Sequence, residues 1–262
     1  MNILDITKRK QAGEKLVVLT CYDYSSAMIL NNTDVDILLV GDSVAMVLHG
    51  EENTLPADVE MMAMHTRMVA RGAADKFIVS DLPFMSYRGE LQTSMDAVTE
   101  LIRAGSHAVK LEGISGNKKI IKHIVQSGVP VMAHLGLTPQ SVNAFGGFKV
   151  QGRDAAARKQ LMKDALKAEK LGCFALVLEC VPADLATEIS SSLKIPVVGI
   201  GAGAGVDGQV LVFHDLLGLA GDFKPKFLRR YLNAGELITT AVNNYANDTR
   251  NGDFPSAQEA YD

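Results

Sequence analysis

Side chains able to bind a cation, hold a carboxylate or carry a proton stand at the ends of short apolar runs. Asp42 and Ser43 follow DILLVG, Asp81 follows FIVS, Lys110 and Glu112 lie within AVKLEG, His134 follows PVMA and Glu179 follows FALVL. An ionisable group at the end of a buried strand is costly unless it is paired or binds a metal. Several such ends in one chain point to a shared site.

Asp42 and Asp81 suit a hard octahedral cation such as Mg²⁺, which keeps waters and leaves positions for substrate oxygens. Either could instead cap the turn or helix that follows. Lys110 and Glu112 are two apart, so on a strand they share a face. They would form a buried ion pair, or Lys110 would face a substrate carboxylate or oxyanion while Glu112 holds a water on the metal. His134 could ligate a metal, carry a proton or position its neighbours through hydrogen bonds, and positioning is the reading taken. No HExxH or clustered histidine spacing points to zinc. A carboxylate such as Glu179 in a dry pocket can have a raised pKa and act as a base near neutrality; the alternative is a salt bridge to a barrel lysine. The run from Gly199 to Gly205 fails the dinucleotide spacing. It reads as a tight loop where backbone approaches a ligand or a neighbour, and an anionic ligand could also sit after a seventh barrel strand.

The elements that must carry these residues alternate. Apolar runs at Leu16–Cys21, Asp36–Val40, Phe77–Ser80, Ala108–Leu111, Pro130–Ala133, Phe174–Leu178, Pro196–Ile200 and Val210–Phe213 read as buried parallel strands. Between them, Asp58–Arg71, Ser94–Ala104, Lys118–Gln126, Asp154–Leu171 and Asp184–Ser192 read as helices, with Ser94, Asp154 and Asp184 as caps. That alternation predicts a (βα)8 barrel, whose active site lies at the C-terminal strand ends. No GxGxxG follows the first strand and no GxxxxGK[ST] occurs, which argues against a doubly wound nucleotide-binding sheet. Met61, Met64 and Met68 fall on one helical face and read as core packing. The stretch from Thr138 to Arg153, rich in Gly and Phe, is a candidate lid.

The chain has 262 residues, 47% of them hydrophobic, and a formal net charge of −4. That length suits one barrel domain over residues 1–262, with a loose polar tail from about Tyr245. The charge argues against a nucleic-acid surface, and the short cluster Lys224, Lys226, Arg229 and Arg230 reads as a solvated helix or subunit edge. The cysteines Cys21, Cys173 and Cys180 form no CxxC and read as buried thiols in a reducing compartment. With no apolar signal core and no membrane-length run, the expected location is the cytoplasm.

At these residues the chain resembles the ketopantoate hydroxymethyltransferase family. The resemblance is carried by TCYDYS (Thr20–Ser25), VGDS (Val40–Ser43), TLP (Thr54–Pro56), SDLPF (Ser80–Phe84) and VKLEG (Val109–Gly113). It continues through HLGLTPQSV (His134–Val142), FGGFKVQGR (Phe145–Arg153), LECVP (Leu178–Pro182), GIGAG (Gly199–Gly203) and DGQ (Asp207–Gln209). It implies a TIM barrel of the phosphoenolpyruvate/pyruvate type. It also implies Asp42 and Asp81 on Mg²⁺, with Glu112 completing the metal environment. Asp42, Ser43, Asp81 and Lys110 would hold 3-methyl-2-oxobutanoate, and Glu179 would be the proton acceptor. The one-carbon donor would be 5,10-methylenetetrahydrofolate and the assembly a cytoplasmic homodecamer. The rival enzyme reading is a Mg²⁺-dependent lyase or mutase of the phosphoenolpyruvate-mutase/isocitrate-lyase type. Against it, the candidate lid lacks a cysteine. A non-catalytic scaffold is the third reading, and it leaves the converging acids unexplained.

Overall fold

Strands covered on both faces read as continuous apolar runs because neither side meets water. In the computed structural model, which describes residues 1–147, 149–221 and 224–261, the apolar runs become β1 (Leu16–Thr20), β2 (Ile37–Val40), β3 (Phe77–Asp81), β4 (Ala108–Glu112), β5 (Val131–Gly136), β6 (Ala175–Glu179), β7 (Val197–Ile200) and β8 (Gly208–Leu211). Each pairs in parallel with the next, and β1 pairs with β8, so the sheet closes into a barrel. The expected fold class is the observed one.

The helices are α1 (Ile3–Ala12), α2 (Tyr24–Asn31), α3 (Val44–Val47), α4 (Val59–Gly72), α5 (Leu91–Arg103), α6 (Lys118–Gln126), α7 (Val142–Phe145), α8 (Ala155–Lys170), α9 (Ala183–Ser192), α10 (Phe213–Leu216) and α11 (Ala234–Asn251). Two compact units emerge, Met1–Val212 with the barrel and Phe213–Asp262 with α10 and α11.

Alternation along the strands decides what the barrel holds. Val18, Ile37, Leu39, Phe77, Val79, Ala108, Met132, Val177 and Val198 form one buried cluster, joined by Ile6 of α1 with Ile3 packed against it. Two residues further along the same faces lie Asp81 after Val79, Lys110 after Ala108, His134 after Met132 and Glu179 after Val177. The interior is therefore apolar toward the strand N-termini and ionisable at the C-terminal ends.

Several local expectations are corrected. Asp154 does cap α8, accepting from the Ala157 N–H at 2.9 Å. Ser94 lies a turn inside α5, where its hydroxyl donates to the Glu90 carbonyl at 3.1 Å. Asp184 lies in the first turn of α9 and pairs with Arg158. On α4 the buried face is Met62, Ala63, His65, Thr66 and Val69. Met64 is exposed and Met61 and Met68 only half-buried, so the methionine stripe is not core. The stripe was chosen by residue type, whereas the elements packed on α4, namely α2, α5, β2 and β3, decide which face is covered. The polar stretch after Tyr245 is helical as far as Asn251, and the described residues beyond it are irregular and exposed. The basic cluster from Lys224 lies in irregular chain, not in a helix.

Candidate active site

The loop after β2 and the C-terminal parts of β3 to β6 bring the candidate residues together. Asp81 and Lys110 are register partners on neighbouring strands, as are Glu112 and His134. Asp42, Asp81, Lys110, Glu112 and His134 are all buried, and Glu179 is half-buried.

Lys110 Nζ lies 2.7 Å from Asp81 Oδ1. The ion-pair alternative for Lys110 is thus met, but its partner is Asp81 and not Glu112. The other Asp81 oxygen, Oδ2, accepts from the Asp42 backbone N–H at 3.1 Å. Burial by itself lowers the pKa of the Lys110 ammonium, but the charges of Asp81, Glu112 and Asp42 raise it above its ordinary value. Asp42 shifts the other way for a carboxylate. Burial, then the charges of Asp81 and Glu112, push it well above the usual range, against the lowering by Lys110 and the Gln140 amide. The capping alternative for Asp42 fails, because Ser43 is the N-cap of α3 and Asp42 Oδ2 accepts from Gln140 Nε2 at 2.8 Å. Ser43 Oγ sits 2.8 Å from the Tyr22 hydroxyl.

His134 lies between two carboxylates, with Nδ1 3.4 Å from Glu112 Oε1 and Nε2 3.3 Å from Glu179 Oε2. Neither contact has hydrogen-bond geometry, so both are ion pairs at their present distance. Burial lowers the His134 pKa, but Glu112 and Glu179 outweigh it and raise the imidazolium to about 9. The ring thus bridges the two acids, with one nitrogen toward each. Glu179 faces this histidine and, among the described residues, no lysine. Its placement depends on a bend after β6, where Cys180 adopts φ 48°. It also depends on Gly136 at φ 91°, where a Cβ would lie 2.2 Å from the Glu179 carbonyl oxygen. Burial pushes the thiols of Cys21 and Cys173 up to about 12 and that of the half-buried Cys180 to about 11.

Three buried carboxylates around one ammonium leave excess negative charge, and oxygen donors of this kind fit a hard divalent cation. Among the described residues no three His, Cys, Asp or Glu side chains stand ready-made as a cage.

Sequence reasoning gave no role to Gln140, Tyr87 or Tyr22. Gln140 lies in the stretch read as a lid, yet Thr138 and Gln140 are buried, and Gln140 bonds to two of the site's acids. Gln140 N–H donates to Glu112 Oε2 at 3.0 Å, and its Oε1 accepts from the Tyr87 hydroxyl at 2.7 Å. A polar residue just after β5 was the available signal. The Gly-rich run approaches a neighbour: a Cβ on Gly205 would lie 1.9 Å from Thr187 Oγ1 of α9.

Comparison with known proteins fits this geometry. A protein named 3-methyl-2-oxobutanoate hydroxymethyltransferase from Francisella tularensis is 52% identical over 261 residues, covering 100% of this chain and 98% of that one. Another of the same name from Bdellovibrio bacteriovorus is 53% identical over 259 residues, covering 99% and 98%. Among solved structures, 2,3-dimethylmalate lyase, a member of the PEP mutase/isocitrate lyase superfamily, superposes with a TM-score of 0.61 at 12% identity over 98% of this chain and 92% of that one. Phosphonopyruvate hydrolase, solved with oxalate and Mg²⁺, gives 0.62 at 12% identity over 99% and 93%. At that identity the likeness speaks for the barrel alone, and the lyase reading gains nothing from it. The family model for ketopantoate hydroxymethyltransferase matches residues 1–257, and with relatives this similar along the whole chain, the protein belongs to the ketopantoate hydroxymethyltransferase family and is a transferase.

Proposed function

We propose that the enzyme transfers a hydroxymethyl group from 5,10-methylenetetrahydrofolate to 3-methyl-2-oxobutanoate, giving 2-dehydropantoate at the first committed step of pantothenate synthesis. The observation that carries this reading is the grouping of buried Asp42, Asp81 and Glu112 around Lys110, with Glu179 beyond His134. Asp42 and Asp81 would hold Mg²⁺ and Glu112 would act on it through a water. When bound, the ion supplies Lewis-acid stabilisation of charge on the keto oxygen.

The side chains divide the remaining work. Ser43, oriented by Tyr22, donates to the substrate carboxylate together with Lys110. The Lys110 ammonium also faces the oxyanion that develops during proton removal. Glu179 accepts the proton from carbon 3, and His134 holds its carboxylate in place. One C–N bond of the methylene bridge opens, and the carbon-3 nucleophile attacks the methylene carbon to form the C–C bond. Water then displaces the remaining folate nitrogen and supplies the hydroxyl oxygen, so that tetrahydrofolate leaves with the proton taken from carbon 3 and one proton of the water. The same reading makes the enzyme a cytoplasmic homodecamer. Three free thiols suit a reducing compartment, and among the described residues no helix is long and apolar enough to cross a membrane.

The test is exchange of the carbon-3 proton of 3-methyl-2-oxobutanoate in deuterated water, followed by NMR. Loss of signal that requires both enzyme and Mg²⁺ is expected. No exchange under turnover conditions would remove the enolate from the mechanism.

A further inference from the structure

Gln140 is a buried amide that joins the carboxylates of Asp42 and Glu112. Its side-chain orientation is determined by its partners. Nε2 donates to Asp42 Oδ2 at 2.8 Å and to the Leu82 carbonyl at 3.0 Å. Oε1 accepts from the Tyr87 hydroxyl at 2.7 Å, while that hydroxyl accepts from the Glu112 N–H at 3.2 Å. Turning the amide over would set its oxygen against a carboxylate and a carbonyl, two acceptor–acceptor contacts in a buried place. The backbone N–H of the same residue takes Glu112 Oε2 at 3.0 Å. One residue thus occupies one oxygen on each of two carboxylates, one in the loop after β2 and the other at the end of β4.

We infer that Gln140 is a positioning residue for the cation site: by occupying Asp42 Oδ2 and Glu112 Oε2 it leaves Asp42 Oδ1 as the oxygen that faces the ion. This rests on the metal reading given under the proposed function. Asp42 sits in a loop, with Gly41 before it and the short α3 after it, so its rotamer has no strand to hold it. The Gln140 amide supplies that restraint, and Tyr87 restrains the amide. Partners that orient ligands in this way typically change metal affinity by about tenfold to a hundredfold when removed.

The experiment uses the full-length enzyme with Mn²⁺ as the probe, free ion being read by electron paramagnetic resonance. Gln140→Leu is expected to raise the Mn²⁺ Kd roughly tenfold to a hundredfold. Its kcat should return to within a few-fold of wild type at saturating Mg²⁺, because the residue acts through affinity and not on the reacting atoms. Tyr87→Phe, which removes only the hydroxyl that orients the amide, should raise the Kd in the same direction by less. It keeps the idea testable if the first variant does not fold. Wild-type Kd in folded Tyr87→Phe and Gln140→Leu overturns the inference, and so does a kcat that stays low at saturating metal. Absence of Mn²⁺ binding by the wild type overturns the metal reading itself, and this inference with it.

Discussion

Glu179 and Lys110 are expected to fail in opposite ways. Glu179→Gln keeps the volume and loses the base, so carbon-3 exchange should slow by roughly a hundredfold or more while keto-acid binding stays close to wild type. Exchange at the wild-type rate would place the base elsewhere. Lys110→Met leaves Asp81 buried without its ion-pair partner at 2.7 Å. Breaking such a pair costs about 3–5 kcal/mol, so denaturant unfolding should show a large loss as well as lost activity. His107 gives a residue-scale pH effect away from the site. Its Nδ1 accepts from the Ile78 N–H at 3.0 Å and its ring stacks on Phe77. The residue is exposed overall, and partial desolvation of the ring against its neighbours lowers its pKa from the ordinary 6.5. The unfolded chain therefore takes up the proton first as pH falls, and stability drops from about pH 6.5 downward toward the folded pKa. His107→Asn keeps an acceptor and loses the titration, so its Tm should fall less than the wild type's between pH 7.5 and 5.5. Identical pH slopes would clear His107 of this role.

Among the elements, two glycines separate stability from catalysis. At Gly136 a Cβ would meet the Glu179 carbonyl of the adjacent strand at 2.2 Å, with φ at 91°. Gly136→Ala should therefore cost stability and also displace the end of β6, reducing the proton-transfer rate. Gly205 abuts α9, far along the chain from any proposed catalytic group. Gly205→Ala should cost about 1–3 kcal/mol by overpacking, with carbon-3 exchange intact. Adding Thr187→Ala removes the hydroxyl and methyl that a Cβ would meet and should recover part of the loss in Tm. Equal effects of the two glycine variants on exchange would contradict this division. The strands themselves were legible because burial on both faces makes short apolar runs in sequence. The Met61–Met64–Met68 face was misread for a related reason: periodicity shows that a helix has two faces, but only its neighbours decide which one is covered.

For the whole molecule, the proposed cation would link stability to metal through the buried carboxylates. An ion that binds only the folded state at a hundred times its Kd adds about 2.7 kcal/mol. Mg²⁺ should raise the wild-type Tm, a chelator should reverse the rise, and Asp81→Asn should weaken both responses. A Tm indifferent to Mg²⁺ in the wild type would count against the metal reading. This dependence could be anticipated from sequence only as far as the acids could be placed at strand ends. Asp42, Ser43, Asp81, Lys110, Glu112, His134 and Glu179 were read as candidates from their places at or after the ends of apolar runs.

By itself the sequence determined the number and order of the strands, the barrel class and the roster of ionisable groups, because these follow from local burial patterns and short motifs. The tertiary structure alone decided the pairing within that roster: Lys110 with Asp81, His134 between Glu112 and Glu179, and Gln140 across Asp42 and Glu112. Such pairings depend on strand register and loop path around a closed barrel, where residues nearly a hundred positions apart meet at hydrogen-bond distance. Spacing along the chain carries no record of those distances.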